Sequence, residues 1–351
     1  MHRRAALLTA AALALTCAPA LAGTAQAAAG PDPRPARWSA TDSSSERRTV
    51  LQYWTSQRMR AARPLDAPPA RRAASSNGPS RGTPWASRST AATTTRHTPW
   101  TYRNSPAGRA SYGGTALTAA VPNSPGLTWE DGGAVVRTVG RVFFTTADGR
   151  NSSCSGTAVT SANESVVMTA GHCVKLNGAA HRNWVFVPAF DDGRRPFGTW
   201  AASRMLTTRQ WNDQEDINFD VAAVVVAPLD GRTLTDVVGG QGVAFNQPRG
   251  RQNFAFGYPA AEPFDGSDLT YCSGQAFDDT VQTRDQGLRC GMTGGSSGGP
   301  WFQGFDESTG QGWLNSVNSF TYTFAPDFMF GPFFGNEAMA VYQAAQNADA
   351  T

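Results

Sequence analysis

From residue 134 onward the chain is written in short β-branched and aromatic runs, and this rhythm restricts its fold more than any other feature. The runs at 135–139, 141–145, 166–169, 184–187, 221–226 and 254–256 are each only a few residues long. Turn signals such as Asp148-Gly149 bound them, and no long helical window lies between them. Strands at this spacing predict a sandwich or a pair of barrels. The last stretch, 336–348, reads instead as a C-terminal helix, Ala-rich with Ala340, Val341 and Ala344 on a face.

The residues before this region differ in kind. Residues 28–125 hold fourteen Arg against four acids, a net +10, whereas 126–351 hold thirteen Arg and Lys175 against twenty-three acids, a net −9. The formal charge of +3 therefore describes neither part, and it gives no support to a nucleic-acid partner. Residues 1–27 read as a secretory signal: Arg3 and Arg4, an apolar run, then the exits Ala20-Leu21-Ala22 and Ala25-Gln26-Ala27. Pro19 interrupts that run, which is short for a bilayer span, so no membrane association is expected once the signal is removed. Residues 28–125 then read as a largely disordered basic prosegment, poor in aliphatic residues from 67 to 125. One helix is expected near 43–62. Ser43 and Glu46 form a capping box, Val50, Tyr53 and Trp54 share a face, and Met59 lies near it. Opposite net charge suggests that this helix docks on the acidic part as a folding aid or latch.

Four cysteines remain after Cys17 leaves with the signal: Cys154, Cys173, Cys272 and Cys290. Four allow 3 connectivities; local pairing, Cys154–Cys173 and Cys272–Cys290, is the simplest. The sequence offers neither a Cys-x-x-Cys nor a second His nearby, so no metal site is expected.

Three segments carry chemistry. Thr169-Ala170-Gly171-His172-Cys173 ends a strand. Asp220 stands at the mouth of the apolar run 221–226. Gly295-Ser296-Ser297-Gly298-Gly299-Pro300 sets a serine in a glycine-dense turn. Taken together and in this order, they resemble the chymotrypsin-like serine endopeptidases, over about 134–345. The resemblance implies an all-β fold of two antiparallel six-stranded β-barrels, one at 126–236 supplying His172 and Asp220, the other at 237–351 supplying Ser297. It also implies a Ser–His–Asp triad, with Ser297 as nucleophile, His172 as base and Asp220 as the orienting acid. The Gly295 and Ser297 N–H groups would form the oxyanion hole, and Ser319 would match the serine that hydrogen-bonds the triad acid. No cofactor is implied, and the expected partners are polypeptide substrates and the chain's own prosegment. The protein is expected to be a secreted monomer.

Nearby alternatives are weaker. Asp213, Glu215 and Asp216 read as a solvated loop, with Ca²⁺ binding as another reading, and His181 as a surface residue. Ser296 is not followed directly by Gly-Gly-Pro, as a nucleophile in this family would be. Members with an ion-paired Asp before the nucleophile differ here, because Ser296 holds that slot; in this respect the motif is closest to the bacterial glutamyl-endopeptidase branch. Gly291, six residues before Ser297, removes the acid expected for a basic preference. The glutamyl branch has a His on the strand after the nucleophile; the counterpart region here, 316–320, has Asn318 near that position and no His, so a glutamate preference is unsupported as well. Two other functional classes fit the same residues: a catalytically silent binding module and an esterase-type acyl hydrolase.

Overall fold

The computed structural model describes residues 34–65, 78–93 and 124–351; the expected signal, 1–27, lies outside them. Six strands close into a barrel: Val139–Thr145, Asn151–Val159, Val166–Thr169, Ala222–Val226, Trp200–Thr207 and Arg182–Pro188, each antiparallel to the next, the last returning to the first. Val139–Thr145, Val166–Thr169 and Ala222–Val226 are buried at every residue. Such strands read as continuous runs of Val, Ala and Phe instead of alternating with polar residues, because no face is left for water. The C-terminal helix Asn336–Gln346 packs on Ala222–Val226 and Trp200–Thr207, burying Ala338, Val341, Tyr342 and Ala345.

The second half, expected as a like barrel, has its strands in two sheets. One runs Trp85–Ala86, Gly242–Phe245, Gln311–Val317, Pro300–Asp306, Gln252–Gly257, Thr270–Gln275, Ser124–Thr128. The other runs Phe277–Asp278, Gln286–Arg289, Ala325–Gly331, Phe320–Tyr322. Gly242–Phe245 pairs in parallel with Gln311–Val317, a departure from the all-antiparallel expectation. The Cys272–Cys290 bridge links a strand of the first sheet to the residue after Gln286–Arg289 in the second. The Cys154–Cys173 bridge joins a barrel strand to the residue after His172. Both pairings are the local ones expected from the sequence.

Within 28–125, the two pieces described are folded against the barrel and sheets. The expected helix is two: Ser44–Tyr53, capped by Ser43, and Ser56–Ala61, capped by Thr55. Trp54 breaks them apart and is itself buried, its indole N–H donating to Asn183 O at 2.6 Å and its ring 5.5 Å from Phe143. Ala36–Ser39 adds antiparallel to Trp200–Thr207, and Arg63–Pro64 pairs with Asn151–Val159. Residues 78–93 lie on the second half, except that Thr90 and Thr93 reach Thr160 and Asp236 of the first. Trp85–Ala86 pairs with Gly242–Phe245, and Ser80 binds Glu337 at the start of the last helix. Apolar burial and backbone ladders hold these pieces. An ion pair across the interface, Asp42 with Arg204, runs opposite to the basic-on-acidic attraction that net charge suggested.

Candidate functional site

Val166–Thr169 runs straight into the short helical turn Gly171–Cys173, which presents His172 at the barrel's end. Gly171 is required there by close approach: a Cβ would lie 2.7 Å from the Trp211 ring and 2.9 Å from Asp220 Oδ1. Asp220 ends the turn Ile217–Phe219 directly before Ala222–Val226, the strand paired with Val166–Thr169. This pairing brings the two side chains together. Asp220 Oδ2 lies 2.7 Å from His172 Nδ1, while Asp220 Oδ1 accepts from the His172 backbone N–H at 2.7 Å. Ser319 Oγ donates to Oδ2 at 2.5 Å. Both His172 and Asp220 are fully buried. Because the carboxylate only accepts, it fixes the proton of the imidazole on Nδ1 and leaves Nε2 as the basic nitrogen. Nε2 has no hydrogen-bond partner among the described residues.

The rival acids are used elsewhere. Asp216 caps the turn through Asn218 N, Glu215 accepts from Gly178 N at 2.8 Å, and Asp213 pairs with Arg209 at 3.6 Å.

Ser297 comes to the same end of the barrel from the second half. Its carbonyl accepts from Ser155 N at 2.7 Å and lies 3.7 Å from Cys173 Sγ, the residue next to His172. Gly298 is the position where the turn requires glycine most. Its φ is +77°, and a Cβ would meet Ser155 O at 2.5 Å. Upstream, the Gly294 carbonyl accepts from Ala260 N at 2.7 Å, and the Ser296 carbonyl accepts from Asn318 Nδ2 at 3.0 Å and Gly299 N at 2.9 Å. In a trans peptide the C=O and the following N–H point in opposite directions. With each carbonyl bound to other groups, the N–H groups of Gly295 and Ser297 each face away from their own carbonyl's partners, and neither donates to another described group. A hydroxyl, a basic imidazole nitrogen oriented by a buried acid, and two free N–H groups make a set suited to acyl transfer.

Several participants escaped the sequence reading. His181, read as a surface residue, is buried. Its Nε2 donates to the His172 carbonyl at 2.9 Å and its ring stacks on Phe144 at 4.2 Å. Burial pushes its pKa down to about 4. Trp211 is buried with its ring 6.3 Å from that of His172. Asn318 is committed to structure, since Oδ1 accepts from Trp301 Nε1 and Nδ2 donates to Phe256 O and Ser296 O. Only its place downstream of the nucleophile was visible in sequence; it lies just after the strand Gln311–Val317. Cys154, His172 and Cys173 bring their ligand-type atoms within 4.8 Å of one another, but both sulfurs are consumed in one disulfide, so the group has no thiolate to offer a metal.

Solved structures include two similar chains. The protease Anisep from Arthrobacter nicotinovorans is 43% identical with a TM-score of 0.58, the match covering 61% of this chain and 98% of that one. AL20, a thermostable serine protease from an extremophilic microorganism, is 44% identical with a TM-score of 0.58, over 62% of this chain and 100% of that one. No protein-family model matches the chain, and no curated protein does.

Proposed function

The chain belongs to the chymotrypsin-like serine proteases, and on that premise we propose that it is exported, loses an N-terminal prosegment, and cuts polypeptides through an acyl-enzyme formed on Ser297. It is a serine-type endopeptidase. The observation that carries the mechanistic reading is the buried Asp220 carboxylate, which accepts from His172 Nδ1 and Ser319 beside the turn of Ser297. In this reading His172 Nε2 takes the Ser297 proton as Oγ attacks the scissile carbonyl, and Asp220 stabilises the imidazolium that results. The Gly295 and Ser297 N–H groups receive the oxyanion. His172 then returns the proton to the leaving amine, and water releases the acyl group by the same steps in reverse.

Export is supported by the signal pattern of 1–27 and by two disulfides, which persist in oxidising compartments. A prosegment is supported by coverage: the relatives are matched almost whole by about three-fifths of this chain. No helix among the described residues is long and apolar enough to cross a membrane.

The test uses the whole precursor and its Ser297→Ala form. An active-site serine phosphonylating reagent is expected to label the processed wild-type protein and not the variant, with peptide hydrolysis lower by about a million-fold in the variant. Processed wild-type protein that takes no label and cleaves no unfolded protein would sink the proposal.

A further inference from the structure

In this chain Ser296 occupies the position before the nucleophile, so no carboxylate there orders the turn. We propose that Ser155 does so: from the barrel strand Asn151–Val159, its hydroxyl positions the peptide units that aim the oxyanion donors. The inference rests on the peptidase reading of the previous section.

Three consecutive peptide units set the direction of those donors. The 294–295 unit carries the Gly295 N–H and is held through its carbonyl by Ala260 N. The 296–297 unit carries the Ser297 N–H and is held through its carbonyl by Asn318 Nδ2 and Gly299 N. The unit between them, 295–296, fixes their relative orientation, and its carbonyl accepts from Ser155 Oγ at 2.9 Å. Gly295 has φ +96°, a conformation that only glycine enters readily, and the same freedom lets an unheld peptide there turn over. The Ser155 hydroxyl also accepts from Tyr258 N at 2.9 Å, which ties down the segment whose Ala260 holds the first unit. The backbone of Ser155 contributes too. Its N–H donates to the Ser297 carbonyl at 2.7 Å, and its carbonyl accepts from Thr169 Oγ1 at 2.8 Å, three residues before His172. Ser155 is fully buried, so water does not replace its hydroxyl when it is lost. One side chain of the half that carries His172 thus holds the loop of the half that carries Ser297. It is a positioning residue and does not itself touch substrate.

Ser155→Ala separates this role from general support of the fold. The control is Ser203→Ala, another fully buried barrel serine, whose hydroxyl bonds a strand carbonyl, Val225 O, at 3.1 Å. We expect kcat to fall about 10- to 100-fold in Ser155→Ala with KM within about twofold, short of the roughly 100- to 1000-fold of deleting a donor outright. Phosphonylation of Ser297 should slow by a similar factor, and Ser203→Ala should keep wild-type kcat. A kcat for Ser155→Ala equal to wild type, or lowered only as far as in Ser203→Ala, overturns the proposal. Where the alanine protein does not accumulate, Ser155→Gly gives the same reading, and a wild-type kcat there overturns it as well. A wild-type enzyme that neither labels nor hydrolyses peptides would instead fail the peptidase reading, before any variant is compared.

Discussion

Two fully buried carboxyl groups lie near enough to sense each other's charge, and their surroundings could hardly differ more. Asp220 accepts three hydrogen bonds, from His172 N, His172 Nδ1 and Ser319 Oγ. Asp285 receives none on either oxygen from the described residues; Arg249, whose charge favours its ionised form, donates to its backbone carbonyl instead. Burial raises the Asp285 pKa well above the ordinary carboxylate range, with repulsion from Asp220 adding to it. A carboxylate taken out of water keeps its charge where donors replace the lost solvent, and takes up a proton where they do not. One group is therefore equipped to stabilise an imidazolium. The other is buried without donors, which favours its protonated form, and it makes no contact with that cation.

The largest effect that tests this contrast comes from making each acid neutral in turn. Asp220→Asn is expected to lower kcat by about 10,000-fold, because an amide there no longer enforces the Nδ1–H tautomer. Asp285→Asn should leave kcat within about threefold, since neither oxygen of that carboxyl bonds His172, Asp220 or Ser319, a small shift on the scale where tenfold is ~1.4 kcal/mol. Relative to wild type, the same variant should gain stability as pH rises. A folded-state pKa above the unfolded one means that the native chain binds the extra proton, so wild type loses stability as pH climbs from 3.8, and the amide does not. Steady-state kinetics, and thermal unfolding in a Ser297→Ala background, check both halves. Equal losses of activity in the two variants would erase the distinction.

A smaller effect is expected from the donors that make the difference. Ser319→Ala removes one of three hydrogen bonds to Asp220 and should cost about tenfold in kcat, the scale of a hydrogen bond to a charged group. An unchanged rate would mean that the two His172 contacts suffice alone.

How much of this was legible in the sequence depends on what each feature is made of. The barrel strands were visible because enclosure on both faces demands unbroken runs such as 222–226. His172 and Ser297 stood out because tight turns leave glycines beside them, and Gly171 and Gly298 have no room for a Cβ, whereas Asp220 stood out only by its place at the mouth of the run 221–226. The docking of 36–39 and 85–86 was not, since a β-ladder spends backbone groups that composition does not record. The break at Trp54 was hidden because the residues before and after it share one apolar face. Ser155 and Asp285 lack a motif, and their roles arise from partners far along the chain: Gly295 and Tyr258 for one, the absence of donors for the other.

His181, packed under the His172 turn, gives the smallest expected effect on turnover. One of its nitrogens is satisfied by the His172 carbonyl, and the other, Nδ1, is buried without a partner. Protonation would place a second N–H where nothing accepts it, which agrees with a pKa lowered from 6.5 to about 4. Between those values the unfolded chain binds a proton that the folded chain refuses, so this group makes stability fall as pH drops from about 6.5 to about 4, and its contribution is level below that. The span corresponds to about 3 kcal/mol. Asp285 acts in the opposite sense over an overlapping range, so the wild-type profile is the difference of the two. His181→Gln retains a donor for the His172 carbonyl and removes the titration. Measured by thermal unfolding in the Ser297→Ala background, it should flatten the acid limb while changing kcat at pH 8 by less than about threefold, on the same scale of tenfold for ~1.4 kcal/mol. An acid limb as steep as in wild type would show that the proton enters elsewhere, and a large loss of kcat at pH 8 would show that the imidazole ring holds the His172 turn in a way the amide does not reproduce.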